Sequence, residues 1–177
     1  FPETIGVSGG NILDIEKRVA WAASMGADVF VSIHLNSSDY STAKGAEVYY
    51  PSASNEGKEL AQEIQEELVD LGLHDRKIKA NDKYAVICNS TKHGFPGLII
   101  EHAFVSNSTD AASFLQTEEG LKKLGVADAT GIAAYYQLGE GEWLKDSKGW
   151  KYKLGDNYVQ NSWKYIQAAW YYFDEEG

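Results

Sequence analysis

"ADVFVSIHLNSS", residues 27–38, decides how this chain is read. Val29, Phe30, Val31 and Ile33 make a nearly continuous apolar run that ends on His34. Such a run fits a strand buried on both faces, as in a parallel sheet. Immediately upstream, "DIEKRVAWAASMGA" (14–27) places Ile15, Val19 and Ala22 at helical spacing, with Gly26 as a helix stop. The pattern then repeats. "GAEVYY" (45–50) reads as a second strand, reached through a polar loop. "GKELAQEIQEELVDLG" (57–72) lines Leu60, Ile64, Leu68 and Leu71 along one helical face. "YAVICN" (84–89) and "GLIIEHAF" (97–104) read as further strands, "TDAASFL" (109–115) and "LKKLGVADATGIAAYYQL" (121–138) as helices. Strands alternating with amphipathic helices predict an α/β fold: a largely parallel, twisted sheet flanked by helices.

The composition changes after residue 139, where four of the five tryptophans occur: Trp143, Trp150, Trp163 and Trp170. Aromatic-rich segments there alternate with Gly, Asn and Asp turn signals, and "LGEGEW" (138–143) reads as a linker. This predicts a small module of β-hairpin repeats. The expected division is 1–138 for the α/β domain and 142–177 for the repeats.

The 177 residues carry a net charge of −10, which disfavours nucleic acid or an anionic membrane surface as the main partner. No apolar run approaches the about 18 residues of a membrane-spanning helix. The single cysteine, Cys88, excludes a disulfide within the chain. No nucleophile-elbow pattern surrounds it, so it reads as a small core residue. Phe1 and the abrupt stop after "WYYFDEEG" read as cut ends, so the lack of a leader does not argue for a cytoplasmic home.

Two strands end on ionisable residues: "VFVSIH" on His34 and "GLIIE" on Glu101. Functional groups of open α/β sheets gather at the carboxyl ends of strands. His34 is either a structural strand-end residue or a metal ligand; Ser32 and Asn36 flank it and could orient its ring. Glu101 either reaches solvent or is a buried carboxylate, whose raised pKa would suit a general base. His102, the next residue along the strand, points to the opposite face. His74 and His93 read as surface residues.

"GADVFVSIHLNSS", "KGAEVYYPS" and "GLIIEHAFVSNSTDAASF", in this order from about Asp14 to Tyr136, resemble the zinc-dependent N-acetylmuramoyl-L-alanine amidases of the family-3 type. The resemblance implies an α/β fold and hydrolysis of the amide between the muramic acid lactyl group and L-alanine of the peptidoglycan stem peptide. It implies one zinc, held by two histidines and a glutamate. His34 matches the second histidine ligand and Glu101 the catalytic glutamate. Glu47 falls where the family often has a glutamate close to the site. With Asn36 it is a candidate substrate contact, an exposed strand residue being the other reading of Glu47. The family's first histidine turn and its glutamate ligand have no counterpart here, since "VSGGN" carries glycines without a histidine. The expectation is that those ligands lie upstream of Phe1, and that this chain alone binds zinc weakly and is inactive. The tail is similar to cell-wall-binding repeats, including the choline-binding type, which makes Trp163 and Trp170 candidates for a cationic ligand. Peptidoglycan and a wall polymer such as choline are the implied partners, and a secreted, cell-wall-associated location the implied home. The alternatives are a catalytically inactive, amidase-like binding module and a different zinc hydrolase on a similar sheet.

Overall fold

β4 (Gly97–Phe104) is the strand around which the first unit assembles. Its eight residues are buried except Glu101, which is only partly so. The structure, a computed structural model, describes residues 12–136, 138, 141–154, 157–166 and 169–176. The chain divides into two compact units, Phe1–Ile132 and Ala133–Gly177.

In the first unit β1 (Phe30–Asn36) and β2 (Glu47–Tyr50) flank β4, and β3 (Lys79–Ala80) lies outside β2, giving the order β1-β4-β2-β3. The β1–β4 and β2–β3 pairings are parallel and the β2–β4 pairing is antiparallel. The sheet is therefore mostly parallel, as the alternation of elements predicts. Five helices accompany it among the described residues. They are α1 (Ile12–Ser24), α2 (Asn55–Asp70), α3 (Ala85–Lys92), α4 (Ser108–Asp110), which continues as a π-helical turn (Ala111–Leu115), and α5 (Glu118–Tyr135).

Sequence dictates most of these elements directly. In α2, Ser54 caps the amino end by accepting from the Gly57 N–H at 2.9 Å, and Leu60, Ile64 and Leu68 are fully buried. An N-cap of this kind is worth about 1 kcal/mol. Gly26 closes the turn after α1 with φ +72°, a conformation that a residue bearing a Cβ adopts at a cost. Gly131 of α5 is a packing requirement instead, because a Cβ there would lie 2.6 Å from the Ile64 Cα of α2.

Three expectations change. "YAVICN" is not a strand. Val86, Ile87 and Ser90 are buried on one face of α3, against Ile99 and the side chains of Ile15, Phe30 and Tyr49. A short apolar run fits either period, and here the helix covers the sheet face that would otherwise be bare. β3 has only two residues and no alternation, so it left no readable pattern. β1 is not buried on both faces: Ile33 is 64% and Leu35 46% exposed. Among the described residues it pairs on one side only, with β4.

The second unit is antiparallel throughout. β5 (Glu142–Lys145), β6 (Trp150–Leu154) and β7 (Asn157–Tyr158) form one sheet, and β8 (Ser162–Ile166) with β9 (Ala169–Phe173) forms a hairpin. Val159, Ile166 and Phe173 make its buried centre, with Trp143 and Tyr152 packed against them. So small a core relies on aromatic area, since each such ring buries about 150–250 Å².

Candidate active site

The parallel register of β1 and β4 puts His34 opposite Glu101, and the antiparallel register of β2 and β4 puts Glu47 opposite Glu101. Register partners on adjacent strands share a face, so His34, Glu101 and Glu47 form one row across three strands. The row lies near the carboxyl ends of β1 and β4, the expected edge for chemistry. Two of its members were singled out as strand-end residues. Only the reversal of β2 brings in the third.

His34 is exposed, and its Nε2 lies 2.8 Å from the Ser32 Oγ. Glu101 has a different environment. Its Oε2 is buried and has no hydrogen-bond partner among the described residues. Burial pushes the carboxyl above the usual carboxylate range, the Glu47 carboxylate adds to that, and His34 and His102 oppose it. Leaving a buried acceptor unpaired costs about 1–3 kcal/mol, so the orphaned oxygen calls for an explanation beyond packing.

Glu47 is 3% exposed, which removes the reading of an exposed strand residue. Its Oε1 accepts from the Tyr49 hydroxyl at 2.7 Å and from the Asn36 Nδ2 at 3.2 Å. Its Oε2 accepts from the Arg76 Nε at 2.7 Å and from the Lys79 Nζ. Burial alone would raise its pKa; the bonds from Lys79, Tyr49 and Arg76 outweigh burial and hold it below the ordinary value. The same contact, added to burial, pushes the Tyr49 hydroxyl up. Glu47 is thus a fixed carboxylate whose acceptor positions are taken, whereas Glu101 is free to act. Asn36 joins the network through Glu47, not through the His34 ring.

His102 points to the other face, as alternation requires. It is buried, its Nε2 lies 2.8 Å from the Asp128 Oδ2 of α5, and its Nδ1 lies 3.3 Å from the His34 carbonyl oxygen. These contacts tie α5 to β4 and β1, two of the three strands that carry the row, and no sequence signal linked Asp128 to it. His74 and His93 are exposed, as expected. Cys88 is a free, partly buried thiol at a cleft with Pro51, Asp82 and Phe95, not a core residue. It lies on the rim of α3, between that helix's buried and exposed faces.

The segment after β4 has a structural task. The Asp110 Oδ2 accepts from the Gly45 N–H at 2.8 Å and from the Phe104 N–H at 3.0 Å. The Asn107 side chain caps α4 through the Thr109 and Asp110 N–H groups and donates to the Ser41 carbonyl at 2.7 Å. Together these bonds pin the loop after β1 to the end of β4.

For a metal, the row fits one imidazole ligand and one free carboxylate beside it. Glu47 is saturated by Arg76 and Lys79, and among the described residues no group of three or more His, Cys, Asp or Glu could hold an ion. The described residues therefore do not complete a zinc site.

In the second unit, Trp163 and Trp170 are 63% and 66% exposed. The two-residue alternation of the β8–β9 hairpin places them on one face, and Trp163 packs on Tyr172 with centroids 5.4 Å apart. Neither lines the cleft of this unit, about 640 Å³, which is walled by Trp143, Trp150, Tyr171 and Tyr172.

Comparison with known proteins covers the first unit. Residues 6–134 match the Amidase_3 family, N-acetylmuramoyl-L-alanine amidase. The uncharacterized protein YqiI of Bacillus subtilis (strain 168) is 38% identical over 132 residues, 73% of this chain and 61% of the relative. The N-acetylmuramoyl-L-alanine amidase LytC of the same organism is 34% identical over 134 residues, 73% of this chain and 26% of the relative. The catalytic domain of CwlV, an N-acetylmuramoyl-L-alanine amidase from Bacillus (Paenibacillus) polymyxa var. colistinus, superposes with a TM-score of 0.61 at 31% identity. That match covers 70% of this chain and 65% of that one. The chain thus spans less than two thirds of the length of these relatives.

Proposed function

The chain belongs to the N-acetylmuramoyl-L-alanine amidase family, and from that premise we propose that it serves hydrolysis of the amide joining N-acetylmuramic acid to L-alanine in peptidoglycan. The observation that carries the proposal is the pairing of His34 with a Glu101 whose buried oxygen has no partner among the described residues. In this reading Glu101 takes the proton of the attacking water and returns it to the leaving alanine nitrogen, the task that a carboxyl of raised pKa suits. His34 is one ligand of a zinc whose remaining ligands lie outside the described residues. When bound, such an ion lowers the pKa of its water to about 7 and polarises the scissile carbonyl. Ser32 orients the His34 ring, and Asn36 and Glu47 line the site without acting on the reacting atoms.

The same reading places the protein at the cell wall, outside the membrane. No helix among the described residues is long and apolar enough to cross a membrane. The expected arrangement is a catalytic domain over 1–138 followed by wall-binding hairpins over 142–177. Trp163 and Trp170 present the aromatic face that a quaternary ammonium or another wall polymer would meet. The incomplete ligand set favours one rival, a catalytically inactive module that binds peptidoglycan. Digestion of purified peptidoglycan by the protein in its cellular form decides between them. The amidase should expose new alanine amino termini and Glu101→Gln should not; intact wall, or near wild-type release by Glu101→Gln, would overturn the assignment. Tight stoichiometric zinc binding by the 177-residue chain alone would overturn the single-ligand reading of His34.

A further inference from the structure

We propose that Arg76, seconded by Lys79, reads a carboxylate on the peptide side of the scissile bond, so that the site selects an acidic peptide. The inference rests on the amidase reading and goes beyond it.

Arg76 is held from three directions. Its backbone N–H donates to the Ala46 carbonyl at 3.1 Å, its Nε donates to the Glu47 Oε2, and its guanidinium lies 4.8 Å from the centroid of the Phe104 ring. Those contacts fix the plane of the fork. They leave its two Nη groups with no acceptor among the described residues, while the side chain stays 30% exposed. A guanidinium fixed at Nε and open at Nη is shaped for a two-pronged carboxylate contact. Lys79 approaches the same Oε2 from beside the Tyr49 ring and is 37% exposed. One cation would neutralise Glu47; two leave a positive charge over. In a chain of net charge −10, that surplus stands one strand away from Glu101, because Glu47 is the register partner of Glu101. Adjacent strands lie about 4.8 Å apart and successive Cα atoms about 3.8 Å. A peptide that leaves the Glu101 site toward β2 carries the residue after its alanine to the side of the row where Arg76 is held by Glu47. An acidic residue there meets a fork already in place, at little cost in side-chain ordering.

The test uses two C-terminally amidated tripeptides, L-Ala-γ-D-Glu-L-Lys with a free glutamate α-carboxylate and the same peptide with that group as a carboxamide. Each is titrated calorimetrically into the full chain. The free acid should bind about tenfold tighter, the worth of one good charge-assisted contact. Arg76→Gln should erase the preference, Arg76→Lys should keep only part of it, and Lys79→Gln should reduce it less than Arg76→Gln. Equal affinity for the two peptides, absence of binding by either, or a preference that survives in folded Arg76→Gln would overturn the proposal. Should Arg76→Gln fail to fold by circular dichroism, Arg76→Lys decides, and an undiminished preference in that variant overturns it. Release of alanine termini from peptidoglycan is scored separately, with the protein in its cellular form. Unaltered release with no carboxylate preference leaves the amidase reading standing and removes this one; a preference without release removes the amidase reading.

Discussion

Glu101 and His102 are neighbours on β4, and their surroundings are opposites. His102 faces α5, is buried, and has partners at both ring nitrogens. Glu101 faces α3 and the row of His34 and Glu47, and its buried Oε2 has none. The difference teaches how one strand divides its labour. The face where His102 is held at both ring nitrogens and α5 packs glycine-tight on α2 holds the sheet to its helices. The face with an orphaned acceptor stores a disfavoured charge where a reaction can use it.

The comparison breaks most visibly at Glu101 itself. Glu101→Gln keeps shape and removes the base, so peptidoglycan hydrolysis should fall by about 10²–10⁴-fold. The thermal midpoint at pH 7 should hold or rise, because the charge removed is one that burial disfavours. A midpoint several degrees lower would mean that Glu101 belongs to the stabilising face after all. On the other side, Asp128→Ala leaves a buried ring nitrogen of His102 without its partner and should cost about 1–3 kcal/mol in denaturant unfolding. Loss of less than about 1 kcal/mol would sink the division. Gly131→Ala, which presses a methyl toward the Ile64 Cα, should cost about 1–3 kcal/mol on that same packed face.

A subtler change follows from Glu47. Its folded pKa is depressed, so its stabilising contribution is complete above its unfolded value near 4.5 and is lost as pH falls through the folded one. Glu47→Gln should therefore lower the thermal midpoint at pH 7 and do so progressively less as the pH approaches 3. A deficit that stays constant across that window would show that its hydrogen bonds matter and its charge does not.

Much of the fold was legible. The 3.6-residue period of α2 and the apolar runs leading to His34 and Glu101 follow from sequence pattern, although β1 continues to Asn36 and β4 to Phe104. "YAVICN" was not legible, because so short and mostly apolar a run satisfies a helical and a strand period equally and only the bare sheet face chose between them. Of the row, His34 and Glu101 could be named because each is the ionisable residue that follows an apolar run. Burial of Glu47 depended on Arg76 and Lys79, residues 29 and 32 positions later, returning after α2 to lie beside β2 at the parallel β2–β3 pairing. No local pattern encodes that meeting. Asp128 was hidden for the same reason.

The clamp made by Asn107 and Asp110 has a consequence for how such chains are recognised. The most distinctive letters after β4, "SNSTD", hold loops together and touch no reacting group. They are a joint, and a joint is kept as long as the sheet edge must stay in shape, whatever is bound there. A chain could exchange its acid, its base or its ligand and still display the joint unchanged. Resemblance at that segment therefore certifies the frame, and the claim to a working site has to be made again, atom by atom, at Glu101.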